Sequence, residues 1–223
     1  MRIFVSRLHF PVTTLGLGRR AGLWFQGCSL HCPGCVSADT WAHGLGATTL
    51  EAVMKTLTPW LAEADGVTIS GGEPMEQPEA LEELLAALRS GMRADQDVLL
   101  YSGQAWEKIA PQMASWRQGP DALICDPFLQ SSAQTLMWRG SDNQRLVPLT
   151  ALGRRRYEPW LHALREEGPK ALDLFFDGDS VWMAGIPDAG SLAALQQALA
   201  AAGFSSTTSA AEHSPTLSPP VFA

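Results

Sequence analysis

The sequence predicts an α/β fold in which strands and helices alternate along the chain. Three observations support it: short apolar runs rich in β-branched residues, intervening segments with apolar residues at helical spacing, and glycine, serine or aspartate at the end of several runs. Such alternation is typical of a mostly parallel sheet with helical crossovers. We therefore expect a partial (βα) barrel of about five or six strands, open on one side.

The first predicted elements are two strands that lead to a cysteine-rich loop, followed by a helix. Met1–Val5 alternates in strand fashion, and Ala21–Phe25 is a short apolar run that continues directly into Gln26-Gly27-Cys28. Apolar residues then recur at helical spacing across Thr49–Ala64, which predicts an amphipathic helix. The loop is thus expected at the carboxyl end of a strand.

Three later strands each end at glycine or polar residues. In parallel sheets, ligands bind at the carboxyl ends of the strands, so these breaks and the cysteine loop should share one edge of the sheet. The strands are Val67–Ser70, Val98–Tyr101 and Ala122–Cys125, the breaks are Gly71-Gly72, Ser102-Gly103 and Asp126, and the helices between them run from Pro78 to Gly91 and over Trp106–Ala110.

The C-terminal part of the chain has a different pattern. Leu172–Phe176 and Ser180–Ala184 flank Asp177-Gly178, which is a hairpin turn signal, and a helix is predicted near Ser191–Ala202. From Ser205 onward the chain is rich in serine, threonine, proline and alanine, a composition that cannot form a core. We therefore divide the chain into a core domain (1–150), an extension (151–203) and a disordered tail (204–223).

Composition excludes several classes of function. The net charge of −7 is unlike the basic footprint of nucleic-acid-binding proteins. No apolar run approaches the roughly 18–20 residues that span a membrane, and the N-terminus lacks the apolar core of a signal peptide. Because three of the four cysteines are crowded together, they indicate a metal or cluster site and a cytoplasmic protein rather than a disulfide framework.

The three crowded cysteines, Cys28, Cys32 and Cys35, have C-x3-C-x2-C spacing. Three thiolates are one short of the set that normally holds a four-iron cubane, so one iron is left to bind a substrate or cofactor. The alternative is a structural zinc ion, whose fourth ligand would be His31, His43 or Cys125. The double glycine Gly71-Gly72 favours the first interpretation, since residues without Cβ atoms let a backbone approach a ligand closely.

Further motifs follow in a fixed order, and together they resemble the radical S-adenosylmethionine superfamily. The similarity is closest to the activating enzymes of glycyl-radical proteins, especially the activases of anaerobic ribonucleotide reductase. The motifs are Phe25-Gln26-Gly27-Cys28, Cys32-Pro33-Gly34-Cys35, Thr68 through Pro74 (TISGGEP), Tyr101-Ser102-Gly103, Asp121 with Pro127-Phe128, and Arg139 through Arg145 (RGSDNQR).

The resemblance implies a [4Fe-4S] cluster on Cys28, Cys32 and Cys35, with S-adenosylmethionine bound to its open iron. Implied neighbours of that cofactor are Gly34 and Val36 at the adenosine, Gly71 and Gly72 at the methionyl amino group, and Glu73 and Ser102.

The chain departs from the family pattern at two places. Val36 and Ser37 stand where many activases have an aromatic residue or histidine followed by asparagine, and Asp126 replaces the glycine of a D-G-P-F motif. The roles of Asp126 and of Arg139–Arg145 stay open at this stage.

The implied activity is reductive cleavage of S-adenosylmethionine to a 5′-deoxyadenosyl radical, which abstracts hydrogen from glycine in a glycyl-radical protein or from a peptide. A flavodoxin- or ferredoxin-like protein would supply the electron. The alternatives are a radical enzyme that modifies a peptide or small molecule, and a non-catalytic iron–sulfur or zinc module. No nucleic-acid or membrane partner is expected. With few insertions over the site, a large partner would itself exclude water from the radical.

Overall fold

A computed structural model describes residues 1–165, 172–177, 180–187 and 190–204. Its main feature is a sheet of seven strands, in the spatial order β3-β1-β2-β4-β5-β6-β7. The strands are β1 (Arg2–Val12), β2 (Arg20–Phe25), β3 (Ala47–Thr49), β4 (Gly66–Gly71), β5 (Asp97–Tyr101), β6 (Ala122–Cys125) and β7 (Arg145–Pro148). The helices beside it are α1 (Leu50–Leu61), α2 (Pro78–Gly91), α3 (Trp106–Met113) and α4 (Ala151–Tyr157).

The centre of the sheet is parallel, whereas its outer strands are antiparallel. β2, β4, β5 and β6 run in one direction, and β1 and β7 run in the opposite direction. The edge strand β3 pairs antiparallel with β1 and so runs in the direction of the central strands. The predicted α/β architecture is therefore confirmed. The count of five or six strands was too low, because β3 and β7 are short edge strands without a continuous apolar run.

Both faces of the central strands are covered, which explains their nearly continuous apolar sequences. Every residue of β2 is buried. On one face, Leu23, Ile69 and Leu100 pack with apolar residues of α1 and α2, and on the other face Leu99 packs with Trp138 and Tyr157. This second face is the one that later segments of the chain cover.

The predicted helices are present with small differences in their bounds, and α3 continues three residues beyond the predicted Ala110 to Met113. The side chain of Thr49 caps α1 by accepting the Ala52 N–H at 3.2 Å, and α2 starts at Pro78 and ends at Gly91 as predicted. α1 stops at Leu61, three residues before the predicted Ala64. None of the helices in the described ranges is long and apolar enough to cross a bilayer.

A two-stranded hairpin and a helix follow the sheet. β8 (Leu172–Asp177) pairs antiparallel with β9 (Ser180–Gly185), and α5 (Ser191–Ala201) comes after them. The hairpin packs on the second face, where the rings of Trp24 and Trp182 meet edge-on at 4.8 Å. The predicted turn residue Gly178 and the predicted disordered tail beyond residue 204 lie outside the described residues, and the division at residues 150 and 203 stays a prediction.

Candidate functional site

The cysteine loop begins at the carboxyl end of β2 and is closed at its base by backbone hydrogen bonds. The Gly27 N–H donates to the Thr40 carbonyl at 2.7 Å, and the Cys28 N–H donates to the Trp41 carbonyl at 3.1 Å. Gly27 has a φ of +100°, a conformation that favours glycine. The chain therefore leaves the sheet, forms the loop and returns to the same point.

The three cysteines lie along this loop as free thiols. Cys28 is buried, while Cys32 and Cys35 are partly exposed. A tight turn joins the last two, since the Cys35 N–H donates to the Cys32 carbonyl at 3.1 Å and Gly34 between them has a φ of +74°. The turn keeps both thiols in the same short segment.

Burial opposes ionisation of the thiols of Cys28 and Cys35. It raises the pKa of Cys28 to about 11 and raises the pKa of Cys35 as well. Hydrogen bonds from the Ser37 backbone and from the Trp41 side chain act in the opposite direction on Cys35, because they stabilise its thiolate.

The fourth cysteine, Cys125, is at the end of β6 and belongs to the hydrophobic core on the helical side of the sheet. It is fully buried, and desolvation raises the pKa of its thiol to about 12. In this position Cys125 packs as a small buried apolar residue.

The double glycine joins β4 to the cysteine loop. The Gly72 N–H donates to the Phe25 carbonyl, and the Glu73 N–H donates to the Gly27 carbonyl, both at 2.8 Å. A Cβ atom on Gly71 would lie 2.3 Å from the Phe25 nitrogen, and one on Gly72 would lie 2.2 Å from the Gly27 oxygen. Approach to a cofactor was the predicted reason for these glycines, but close contact with the protein's own backbone already requires them.

Glu73 connects the ends of β4 and β5. Its carboxylate accepts hydrogen bonds from the Ser102 hydroxyl at 2.8 Å, the Met75 N–H at 2.9 Å and the Gly103 N–H at 2.8 Å. Complete burial raises the pKa of Glu73 to about 7, although these hydrogen bonds favour its charged form. Glu73 and Ser102, two predicted cofactor contacts, thus touch each other.

Gln104 is a site residue that the sequence reasoning missed. It follows the Ser102-Gly103 break and is 7% exposed, yet its Oε1 atom has no hydrogen-bond partner within the described part of the chain. Leaving such a buried acceptor unpaired costs about 1–3 kcal/mol, which a donor on a bound ligand would recover. Its only sequence signal is its place directly after a strand break.

Asp126 is held in an unusual backbone conformation at the end of β6. Its φ is +83°, and two nitrogens of Arg145 each lie 2.6 Å from its carboxylate oxygens. This pairing lowers the pKa of Asp126. Arg145 also bonds both carboxylate oxygens of Glu107, so one guanidinium links β6, β7 and α3.

The segment Arg139–Arg145, whose role the sequence left open, braces the loop after β6. The Asn143 side chain donates to the Pro127 carbonyl at 2.8 Å and the Gln144 side chain to the Asp126 carbonyl at 2.9 Å. The Ser141 hydroxyl accepts the N–H of Leu129 at 3.1 Å. These bonds fix the backbone of a loop that would otherwise have few partners.

A cavity of about 480 Å³ separates this braced loop from the cysteine loop. The side chain of Gln130 comes so close to the turn between the last two cysteines that a Cβ atom on Gly34 would lie 2.9 Å from it. Leu30, Val36 and Leu129 are exposed large apolar residues of the same two loops. The cavity is lined by Pro33, Phe128, Leu129, Gln130 and Ser131.

The thiols fit an iron–sulfur cluster through the chemistry of the donor set. Across the ranges that the structure describes, no three histidine, cysteine, aspartate or glutamate side chains converge where they could hold a metal ion. The fit therefore depends on three free thiols in one loop and not on a preformed arrangement of sulfur atoms. The unpaired Gln104 oxygen lies on the same edge and is available to a donor of a polar cofactor.

Comparison with known proteins gives a consistent assignment. The sequence profile of the "4Fe-4S single cluster domain" family matches residues 14–147, more than half of the chain. An anaerobic ribonucleoside-triphosphate reductase-activating protein of Haemophilus influenzae is 28% identical over 144 residues, 61% of this chain and 92% of that protein. The protein of the same name from phage T4 is 31% identical over 136 residues, 59% of this chain and 85% of that protein.

A second kind of relative supports the same branch. The pyruvate formate-lyase-activating enzyme of Clostridium pasteurianum is 35% identical over 176 residues, which are 74% of this chain and 66% of that enzyme. The resemblance inferred from the motifs is thereby confirmed. The chain belongs to the 4Fe-4S single cluster domain family, in the radical S-adenosylmethionine branch that contains the activating proteins of glycyl-radical enzymes.

Proposed function

We propose that this protein activates a glycyl-radical enzyme by reductive cleavage of S-adenosylmethionine. The observation that carries the proposal is the junction of the cysteine loop and the Gly71-Gly72-Glu73 turn. Backbone hydrogen bonds join the two at one edge of the sheet, so a cluster on the loop would lie beside the turn. In this proposal the sheet is the wall of a partial barrel whose mouth is this edge.

Each predicted site residue has a role in the proposal. Cys28, Cys32 and Cys35 hold the [4Fe-4S] cluster, and the backbone at Gly71 and Gly72 receives the methionyl amino group. Glu73 and Ser102 keep the ends of β4 and β5 together behind that backbone through their 2.8 Å hydrogen bond. Gly34 and Val36 border the adenosine.

When bound, the cluster supplies one electron that cleaves S-adenosylmethionine to methionine and a 5′-deoxyadenosyl radical, which takes a hydrogen atom from glycine and leaves as 5′-deoxyadenosine. A flavodoxin- or ferredoxin-like protein delivers that electron. The protein's own contribution is to bind and orient the cofactor and to limit the access of water.

The exposed apolar side chains around the mouth favour a protein substrate. Leu30, Val36 and Leu129 are 37%, 36% and 47% exposed, and Leu129 also lines the cavity between the two loops. A partner that presents a glycine on a loop would cover them and exclude water from the radical. The relatives described above are named for activating a ribonucleoside-triphosphate reductase or pyruvate formate-lyase, which agrees with this class of partner.

Anaerobic reconstitution tests the cofactor chemistry. Loaded and reduced protein should convert S-adenosylmethionine to 5′-deoxyadenosine, detected by chromatography. Cys32→Ala should lose both the cluster absorbance and the cleavage, whereas the matched control Cys125→Ala should keep both. Equal cleavage by the two variants would contradict the ligand assignment.

Activation itself requires a second experiment with a partner. Incubation with a ribonucleotide reductase or formate-lyase of the glycyl-radical type should give a glycine-centred signal in electron paramagnetic resonance. Cleavage without that signal, together with modification of a peptide or small molecule, would replace the proposal with the alternative radical enzyme.

A further inference from the structure

Glu76 connects the turn after β4 to the segment between the first two cysteines. It ends the short helical turn Pro74–Glu76, which follows the double glycine. Its carboxylate accepts the backbone N–H of Ser29 at 2.9 Å and the Ser29 hydroxyl at 3.3 Å. Since Ser29 comes directly after Cys28, the peptide group that leaves the first cysteine is bonded to Glu76.

The side chain of Glu76 has a defined place at this junction. It is 23% exposed, although Ser29 lies on the surface. The Nε2 atom of His43 lies 3.7 Å from its carboxylate and 3.3 Å from the Ser29 hydroxyl. The next residue, Gln77, donates from its side chain to the Gln26 carbonyl at 2.9 Å and is anchored on β1 by two further bonds of 2.9 and 3.1 Å. The turn that carries Glu76 is therefore fixed to the sheet.

The bonds of Glu76 differ in position from the other bonds between this turn and the cysteine loop. Those from the double-glycine turn to the carbonyls of Phe25 and Gly27 hold the chain before the first cysteine. Those from Ser29 to Glu76 hold it after that cysteine. Cys28 thus lies between two points at which the chain is attached to the same turn.

We propose that Glu76 is a positioning residue that fixes the backbone at Cys28 for ligation of the cluster. The inference rests on the proposed function, because it assumes that Cys28 is a cluster ligand. A ligand whose backbone is already fixed loses less conformational freedom when it binds, and hydrogen-bonded groups outside the ligand set are known to strengthen metal sites in this way. The bonds of Glu76 therefore slow the loss of the cluster, although Glu76 itself is not a ligand.

The test compares variants that separate the hydrogen bond from the charge. Glu76→Ala removes both bonds to Ser29, whereas Glu76→Gln keeps an amide oxygen that can accept the Ser29 N–H. The control Glu79→Ala removes an exposed carboxylate from the first turn of α2. Each protein is reconstituted anaerobically, its iron and sulfide are quantified, and loss of the cluster to an iron chelator is followed by absorbance without S-adenosylmethionine.

Glu76→Ala should lose its cluster about tenfold faster than the wild-type protein, at the lower end of the effect that such outer partners have on metal affinity. Glu76→Gln and Glu79→Ala should stay close to the wild-type rate. A wild-type rate in Glu76→Ala, or an equal acceleration in Glu76→Gln, would overturn the inference. Since no S-adenosylmethionine is present, neither result bears on cleavage of that cofactor. A wild-type protein without a four-iron cluster would refute the proposed function itself, and its iron and sulfide content would reveal this.

A measurement without the cluster covers the case in which Glu76→Ala does not load. Hydrogen exchange of the Ser29 amide is measured by nuclear magnetic resonance in the cluster-free proteins, after circular dichroism has shown that each is folded. The Ser29 amide should exchange more slowly in the wild-type protein and in Glu76→Gln than in Glu76→Ala, because its N–H is bonded in the first two. Equal exchange in all three proteins would refute the bond on which the inference depends.

Discussion

The two edges of the sheet differ in how completely they satisfy their own polar groups. At the amino edge, Arg20 and Asp97 are fully buried and form an ion pair with a 2.8 Å contact. Arg20 also donates to the Thr68 hydroxyl at 2.6 Å, and Asp97 accepts the hydroxyl of Tyr157 at 2.5 Å and lies 2.8 Å from the Nε of Arg156. Every charged group here has a partner within the chain.

The carboxyl edge is less complete. Gln104 leaves a buried oxygen unpaired, Gly27 and Gly71 have positive φ values, and a cavity opens between the two loops. Leu129, which lines this cavity, and Leu30 on the cysteine loop both expose apolar surface. A polar network whose charged groups are all paired stabilises the fold. Unpaired hydrogen-bonding groups and exposed apolar surface, by contrast, can be bound by a ligand or a partner. The comparison therefore assigns stability to one edge and function to the other.

The largest expected effect on stability comes from breaking the amino edge. Asp97→Ala leaves Arg20 buried without its ion pair, so the free energy of unfolding of the cluster-free protein should fall by about 3–5 kcal/mol. Denaturant titration measures it. The control Glu83→Ala removes an exposed 3.4 Å pair with Arg117 and should cost less than about 1 kcal/mol. Similar losses in the two variants would contradict the special role of the amino edge.

A substitution at the carboxyl edge should affect activity more than folding. In Gly72→Ala, the new methyl group meets the carbonyl of Gly27 at 2.2 Å and displaces the cysteine loop. We expect formation of 5′-deoxyadenosine to fall more than about tenfold, roughly 1.4 kcal/mol or more in the barrier, while circular dichroism shows a folded protein. The control Gly119→Ala, with nothing within 4 Å of its Cβ position, should keep wild-type activity. Equal activity in both would show that the contact is unimportant.

The buried carboxyl group of Glu73 predicts a dependence of stability on pH. Its pKa rises from 4.5 to about 7 on folding, so between these values the folded state binds more protons than the unfolded state. The contribution of Glu73 to stability is complete below pH 4.5 and is lost as the pH rises to about 7. Glu73→Gln should remove that part of the slope in the cluster-free protein. Parallel slopes for the two proteins would disprove the shift.

The smallest effect is expected at Asp126, where strain and pairing oppose each other. A glycine tolerates the φ of +83° but cannot pair with Arg145, whereas an alanine neither tolerates the conformation nor pairs. Asp126→Gly should therefore be more stable than Asp126→Ala by about 1 kcal/mol in denaturant titrations. The reverse order would show that the backbone there is not strained.

The fold and the site could be predicted from the sequence to different extents. The parallel strands were recognisable because each is an apolar run that ends at a small or polar residue, as at Val67–Ser70 and Val98–Tyr101. β7 and α4 were not predicted, because Arg145–Pro148 has no clear alternation and α4 is a seven-residue segment that contains three consecutive arginines. One of these arginines, Arg156, pairs with Asp97.

Contacts between residues that are distant in the sequence account for most of the features that the sequence did not predict, at both edges of the sheet. Arg20 and Asp97 are 77 positions apart, and no local pattern indicates that they meet. No local pattern places Trp41 at the cysteine loop, where its ring stacks on His31 with centroids 4.6 Å apart. Gln104 belongs to no motif. Short-range motifs predicted the cysteines and the glycines, but not the contacts that hold them.

The most direct test of the account concerns the iron that three cysteine ligands would leave open in the proposed cluster. Reduced protein is mixed with S-adenosylmethionine labelled with ¹⁵N at its amino group and studied by electron–nuclear double resonance. The account predicts a strong ¹⁵N coupling to the cluster, which disappears with unlabelled cofactor. An intact four-iron cluster that shows no such coupling while the cofactor is bound would contradict it.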